Sequence, residues 1–258
     1  MTKLDLPDLI PNYKAGINYT YSNDEGRNNL ANLLISAGSG YCAYCFTRIY
    51  VDGKNYGNLE HSIEEKKCRE VLLDCVPNIS IACTKCNNSF KKRGSKKRSL
   101  DDTEESDLLN CLPCPANCIK PCASYKKVKK SFAMKKDCKI ILQPLGLVLS
   151  KYPLKIQYDV MDQKFIPSEN YEYNDEEKKF IEKHIARFNL NDPGYRTWAL
   201  NNVTEDVINN REIPKVGRYN NLIADLFIEK LMELRMEDAI KSCETVYGIS
   251  ALLMKAKI

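Results

Sequence analysis

The chain has 258 residues, a net charge of +5, 43% hydrophobic and 28% charged residues. That composition is enough to build a real core in one large domain or two small ones. It excludes a disordered or collagenous chain, and no apolar run reaches the roughly 18–20 residues needed to span a bilayer. The small positive excess is compatible with a polyanionic partner without requiring one.

In chain order, residues 1–24 hold prolines, Asp, Asn and tyrosines with no clear period, and read as an arm or docking segment. Their acids and prolines stand where a signal peptide needs an apolar block, so a cytoplasmic location is expected. Residues 24–38, "DEGRNNLANLLISAG", place Leu30, Leu33, Leu34 and Ile35 on a short helix stopped by Gly38 and Gly40. "TRIYVDG" reads as a strand ending at Asp52–Gly53. Residues 62–76 suit a short helix or an insertion. "NISIAC" looks like a second strand, and "TKCNNSFKKRGSKKR" a helix that decays into a basic loop.

Residues 101–110 are acidic and polar, a cysteine cluster fills 111–122, and "KKVKKSFAMKK" is basic. Residues 139–167 suggest strands, with "MDQK" turning into "FIP". From 174 the pattern is helical. Asn174 and Glu177 have capping-box spacing, and Phe180, Ile181, Ile185 and Phe188 follow as an apolar face. A long helix is expected over 219–242 and a last one over 243–256.

The chemistry concentrates in the first half. Ten of the twelve cysteines lie between Cys42 and Cys122. In a cytosolic protein they suggest metal rather than disulfides. "CAYC" (Cys42, Cys45), then 37 residues, then "CTKC" (Cys83, Cys86) supplies four thiolates for one tetrahedral structural zinc. The plainer reading, four unrelated buried cysteines, does not account for two pairs of equal spacing. "CLPCPANCIKPC" places Cys111, Cys114, Cys118 and Cys122 at C-x2-C-x3-C-x3-C. This cluster could hold a second zinc, an iron–sulfur cluster by its nearness to the ferredoxin run, or remain unligated and redox-sensitive. Cys138 could replace one ligand. Cys68, Cys75 and Cys243 read as small core residues, and His184 as structural.

Between the zinc pairs lie Glu60–His61 and Asn78, and Asn87 follows Cys86 directly. The order "CAYC…LEH…CTKCNN" resembles the HNH endonuclease family with its ββα-metal fold. The resemblance implies that His61 deprotonates the attacking water, that Glu60 and Asn87 hold one Mg²⁺ or similar ion, and that Asn78 braces the loop presenting His61. There are departures: Asn87 rather than His stands at the final position, where the family uses both, with Asn88 beside it as the alternative ligand. Glu60 stands where Asp is commoner, and "EEKKC" lacks the usual proline. The order, with "IILQPLG", a hairpin ending in "FIP" and "FNLN" at 188–191, is most similar to small bacterial HNH proteins of the PtuB type. Those pair with an ABC/SMC-like ATPase of the PtuA type in Septu-like and retron-linked antiphage systems.

The basic run Lys91, Lys92, Arg93, Lys96, Lys97 and Arg98 follows the second zinc pair and is expected to contact phosphates. A solvated basic loop is its plainer reading. The fold expected is α+β: an arm (1–24), a zinc-stapled HNH module (25–100), the second cysteine cluster with a β-hairpin (101–170), and a helical C-terminal region (171–258). The function expected is a metal-dependent HNH nuclease acting on DNA by default, with RNA or tRNA as the other substrate class. A non-catalytic zinc-binding module is the alternative.

Overall fold

The computed structural model describes residues 3–94, 98–112, 118–135 and 137–255, with the side chains of 193–199 and 254–255 outside the description. It is an α+β protein with small antiparallel sheets and a helical C-terminal region.

The first strand, β1 (Lys3–Asp5), pairs antiparallel with β6 (Ile156–Asp159), which pairs with β7 (Lys164–Pro167). The N-terminal arm is thus the edge of a sheet formed by residues some 150 positions later. It is anchored again at Asp74, where one carboxylate oxygen accepts from Thr20 Oγ1 (2.5 Å), Tyr21 N (2.7 Å) and Ser22 N (2.9 Å). The arm then meets α1 (Asp24–Ala37) so closely that a Cβ on Gly26 would lie 2.3 Å from Thr20 Cγ2. Asn23 caps α1 through Gly26 N (2.8 Å), and Gly40, at φ +79°, donates to Ile35 O (2.8 Å) to end it.

β2 (Tyr50–Val51) and β3 (Lys54–Asn55) form a tight hairpin across Asp52 and Gly53, both at positive φ, as the Asp-Gly pair predicts. The next strand, β4 (Asn58–His61), pairs with β5 (Ile79–Ala82), His61 opposite Ile79. Between them a 3₁₀ turn (Glu65–Lys67) and the one-turn α2 (Arg69–Leu72) occupy the segment read as helix or insertion. The helix expected after Cys83 is shorter than its pattern. It becomes a wide turn over Cys86–Phe90, closed by Lys91 N to Cys86 O at 3.0 Å, because Lys91 is drawn inward.

Two helices stand where only charge was read. Asp101 and Glu104 form a full capping box on α3 (Asp102–Leu109). Tyr125, Val128 and Phe132 make the buried face of α4 (Ala123–Met134). Residues 139–155 are not strands. Ile140, Ile141 and Leu142 are buried, yet Ile141 N donates to His184 Nδ1 (3.0 Å) rather than to a neighbouring strand. A cis Gln143–Pro144 bond and positive φ at Leu145 and Gly146 turn the chain there.

The expected capping box opens α5 (Asp175–Arg187), and α6 (Pro193–Asn210) follows. The two helices expected over 219–242 and 243–256 are α7 (Leu222–Met232) and α8 (Met236–Lys255), with the break at 233–235 instead of 242–243. No Gly or Pro marks that break. The turn lets Ala239, Cys243 and Val246 join the same core as Phe227 and Leu231. That core is continuous from Leu4 to Val246 and takes side chains from all four segments. Among the described residues no helix is long and apolar enough to cross a membrane.

Candidate metal centre and active site

Tyr41–Cys45 turns back so that Cys42 and Cys45 face the end of β5, where Cys83 and Cys86 follow directly. The four Sγ atoms all lie within 4.8 Å of one another, Cys45 to Cys83 at 3.7 Å. Four thiolates on one zinc at about 2.3 Å would stand roughly 3.8 Å apart, so the donor set fits the ion the spacing predicts. Cys83 N donates to Cys42 Sγ (3.2 Å) and Cys86 N to Cys83 Sγ (3.4 Å), orienting the sulfurs from the backbone. Burial pushes the Cys42 thiol up, whereas the hydrogen bond with Cys42 pulls Cys45 down. A divalent cation would take the place of the thiol protons when all four sulfurs bind it as thiolates.

Among the described residues this is the single group of three or more potential ligands close enough for one ion. In the second cluster Cys111 and Cys122 approach to 3.0 Å, Cys118 Sγ turns to Lys120 O at 3.5 Å, and Cys114 lies outside the described residues. Cys68, Cys75, Cys138 and Cys243 are buried in the core.

His61 closes β4 and is only 8% exposed. Its Nε2 lies 3.0 Å from Leu73 O. A carbonyl can only accept, so Nε2 carries the proton and Nδ1 keeps the lone pair. Nδ1 faces Glu65 Oε2 at 3.8 Å, too far for a direct hydrogen bond, and that oxygen is buried with no hydrogen-bond partner. Burial holds the imidazole below its usual 6.5, opposed by the Leu73 carbonyl and the Glu65 carboxylate, so the ring is neutral at pH 7. The ring of Tyr21, on the arm, meets it edge-on at 4.7 Å, and Arg27 in turn holds Tyr21 O (3.0 and 2.8 Å).

Asn78 is fully buried just before β5. Its Oδ1 accepts from Ile63 N (2.9 Å) and its Nδ2 donates to Ile63 O (2.8 Å), while its own carbonyl takes Ser62 N (2.8 Å). It therefore clamps the two residues after His61, and Tyr125 Oη stands 3.1 Å from its amide oxygen.

Glu60 does not meet His61. Neighbours on a strand face opposite ways, and Glu60 points inward. One carboxylate oxygen accepts from Tyr44 Oη, the other from Lys91 Nζ, which also donates to His61 O. Burial and then the Glu60 carboxylate push the Tyr44 phenol well up. Asn87 is half-buried on the wide turn, and Asn88 Oδ1 accepts from Lys92 Nζ (3.2 Å). With both oxygens of Glu60 engaged and the carboxylate enclosed, Glu60 and Asn87 do not fit the expected Mg²⁺ pair.

The basic run divides. Lys91 (4% exposed) and Arg98 (1%) face inward; Arg98 donates to Arg93 O (2.8 Å) and Lys91 O (2.7 Å) and pairs with Glu64 (2.9 Å). They do not present charge for phosphate contact as the run predicts. Lys92 and Arg93 are exposed, and Lys96 and Lys97 lie outside the described residues. Glu65 and Tyr21 escaped the sequence reading. Glu65 had one signal, its position four residues after His61; Tyr21 had none.

Compared with protein-family models, with curated proteins and with solved structures, the chain matches none.

Proposed function

We propose that this chain is an HNH-type endonuclease that hydrolyses phosphodiester bonds of nucleic acid, its hairpin stapled by one zinc on Cys42, Cys45, Cys83 and Cys86. The observation that carries the reading is His61. It ends the first strand of the zinc-bound hairpin, its Nε2 is held by a backbone carbonyl, its Nδ1 is left basic, and Asn78 locks the loop behind it. A base oriented in this way takes a proton from water as the water's oxygen bonds to phosphorus and the bond to the leaving oxygen breaks. The proton then returns to that oxygen through solvent. Glu65, facing Nδ1, favours the imidazolium that forms. The resemblance implies an additional Mg²⁺ on Glu60 and Asn87; those residues do not fit it as they stand, and no step is routed through it.

DNA is the default substrate, and activated water hydrolyses RNA equally. The covered position of His61 behind Tyr21 favours a nuclease held off until the arm moves, in keeping with gating by an ABC/SMC-like ATPase in antiphage defence. A second zinc on the 111–122 cluster belongs to the same proposal, supported by the approach of Cys111 to Cys122. Metal content of wild type against Cys111→Ser distinguishes one zinc from two.

A second reading is favoured by Glu60. A carboxylate enclosed by Lys91 and Tyr44 suits a non-catalytic zinc module in which the acid is structural. The test is cleavage of plasmid DNA and of total RNA, with Mg²⁺ or EDTA, by wild type, Tyr21→Ala and each of these carrying His61→Ala. The nuclease reading expects cleavage that rises when the Tyr21 ring is taken off His61 and falls about 10²–10⁴-fold without His61. Cleavage indifferent to His61, or none from Tyr21→Ala, favours the binding module.

A further inference from the structure

Away from His61, five cations meet in two adjoining hollows. Arg93 comes from the turn after the zinc pairs, Lys139 from the segment after α4, and Lys179, Lys183 and Arg187 from α5. The three on α5 are four residues apart, which sets one cation per turn along one side of the helix, about 6 Å from the next.

Among the described residues none of the five makes an ion pair with a carboxylate, whereas Lys3, Lys127, Lys135, Arg218 and Arg235 elsewhere all do. Three carboxylates, Asp137, Asp175 and Glu176, line the same hollows, leaving the cations in excess. Neutral groups hold three of them instead. Arg187 donates to Arg93 O (2.7 Å) and Asp137 O (2.6 Å), Lys139 donates to Met134 O (3.0 Å) and lies over the Phe180 ring, and Arg93 lies over the Phe90 ring. Burial, then the neighbouring Arg98, lower Arg187 below its usual range, as expected where cations crowd together. A polyanion laid across the hollows would relieve that crowding.

The hollows connect to the backbone of the strand that carries His61 through a short path. Lys91 donates to the carbonyl of His61, and two residues on Arg93 opens into the hollow, its own carbonyl held by both Arg98 and Arg187. We infer that Arg93, Lys139, Lys179, Lys183 and Arg187 form the track for the sugar–phosphate backbone of the nucleic acid. A wide hollow edged by exposed lysines and one exposed guanidinium suits repeated phosphates more than a single anion. The track rests on the nuclease reading for its purpose. It replaces the part of the 91–98 run that is turned inward, using residues from a helix more than eighty positions later.

The test measures binding without cleavage. The zinc-loaded His61→Ala chain, in buffer without added Mg²⁺ or chelator, is titrated into a short fluorescein-labelled DNA duplex, and separately into a labelled RNA strand, by anisotropy. Arg93→Gln/Lys179→Gln/Lys183→Gln is compared with a triple of equal charge change on exposed lysines elsewhere, Lys54→Gln/Lys151→Gln/Lys241→Gln, after both are shown to melt like the parent. Removing three phosphate contacts is expected to weaken binding at least tenfold, and to flatten the slope of log affinity against log salt by about two to three. The remote triple should change little.

Equal losses in both triples, no loss in the first, or no binding by the parent overturns the track. So does competition by polyglutamate as strong as by unlabelled DNA, which would make the surface one for an acidic protein. Because nothing is cleaved, loss of the track leaves the His61 cleavage test standing. Absence of cleavage, conversely, leaves the binding result intact.

Discussion

Lys91 and Glu60 show how much one side chain can redirect a site. Both are buried, and the pair is closed by Tyr44 and by the carbonyl of His61. Removing one partner of a buried pair strands the other charge, at a cost of about 3–5 kcal/mol. Lys91→Met is therefore expected to lower urea-denaturation stability by about that amount, and adding Glu60→Leu should restore much of it. A Lys91→Met chain as stable as wild type would mean that the pair is not formed in solution. His184 makes a separate statement about pH. Burial lowers it to about 3 from 6.5, and its unprotonated Nδ1 accepts from Ile141 N. The unfolded chain binds this proton first as pH falls below 6.5, so stability declines between pH 6.5 and 3, by up to about 1.4 kcal/mol per unit, and levels off below. Comparing urea midpoints at the two ends of that window for wild type and His184→Gln checks this. The variant, having no proton to take up, should show the smaller decline, whatever the zinc thiolates add to both.

At the scale of elements, the arm and α1 depend on one another through Gly26. Thr20 occupies the space a Cβ would need, with its methyl at 2.3 Å and its backbone N at 2.8 Å. Backbone cannot give way cheaply there, so Gly26→Ala is expected to part the arm from α1 although alanine is the better helix former. Faster hydrogen exchange at Tyr21 N and Ser22 N, the two amides held by Asp74, would register the parting. Unchanged protection would refute it. The same strap covers His61, so this element links packing to function: whatever loosens residues 19–23 also uncovers the candidate base. The break between α7 and α8 belongs to this scale too. It sits in "ELR", a run with no helix breaker, and exists because both apolar faces reach one core.

Across the whole molecule the two cysteine pairs hold more than their own hairpin. Directly after Cys45, Phe46 O accepts from Leu222 N (3.1 Å), Thr47 bridges to Asn221, and Arg48 N donates to Asn220 O (3.3 Å). Arg48 also pairs with Asp225 (2.9 Å), which accepts from Tyr41 Oη and from Gly217 N (2.8 Å). The C-terminal helices are thus fastened to the knuckle itself. Structural zinc can contribute roughly 10–16 kcal/mol of apparent free energy, as much as the whole 5–15 kcal/mol stability of a typical domain. Stripping the metal with a strong chelator is expected to abolish the cooperative melt and to open residues 216–222 to protease together with the hairpin. A chelated chain that melts like the parent would mean that the four thiols need no ion.

By itself the sequence determined whatever depends on neighbours close in the chain. The two CxxC pairs, the α1 helix and its glycine stop, the strand end at Asp52–Gly53, the β5 strand and the α5 capping box are all set by local spacing or backbone preference, and each is where the pattern puts it, whereas β4 stands in a stretch where no strand is expected. The α3 capping box is equally local, but Asp101 and Glu104 sit in a run of acids whose dominant pattern is charge. The tertiary structure decided everything that depends on which groups meet across the fold. It turned Glu60 toward Lys91 and Tyr44 and away from His61, brought Glu65 and Tyr21 to the imidazole, buried half the described part of a basic run, and pooled the cations of α5 with Arg93. Charge and hydrogen bonding act through space, and a run of letters carries no distances between residues far apart in the chain.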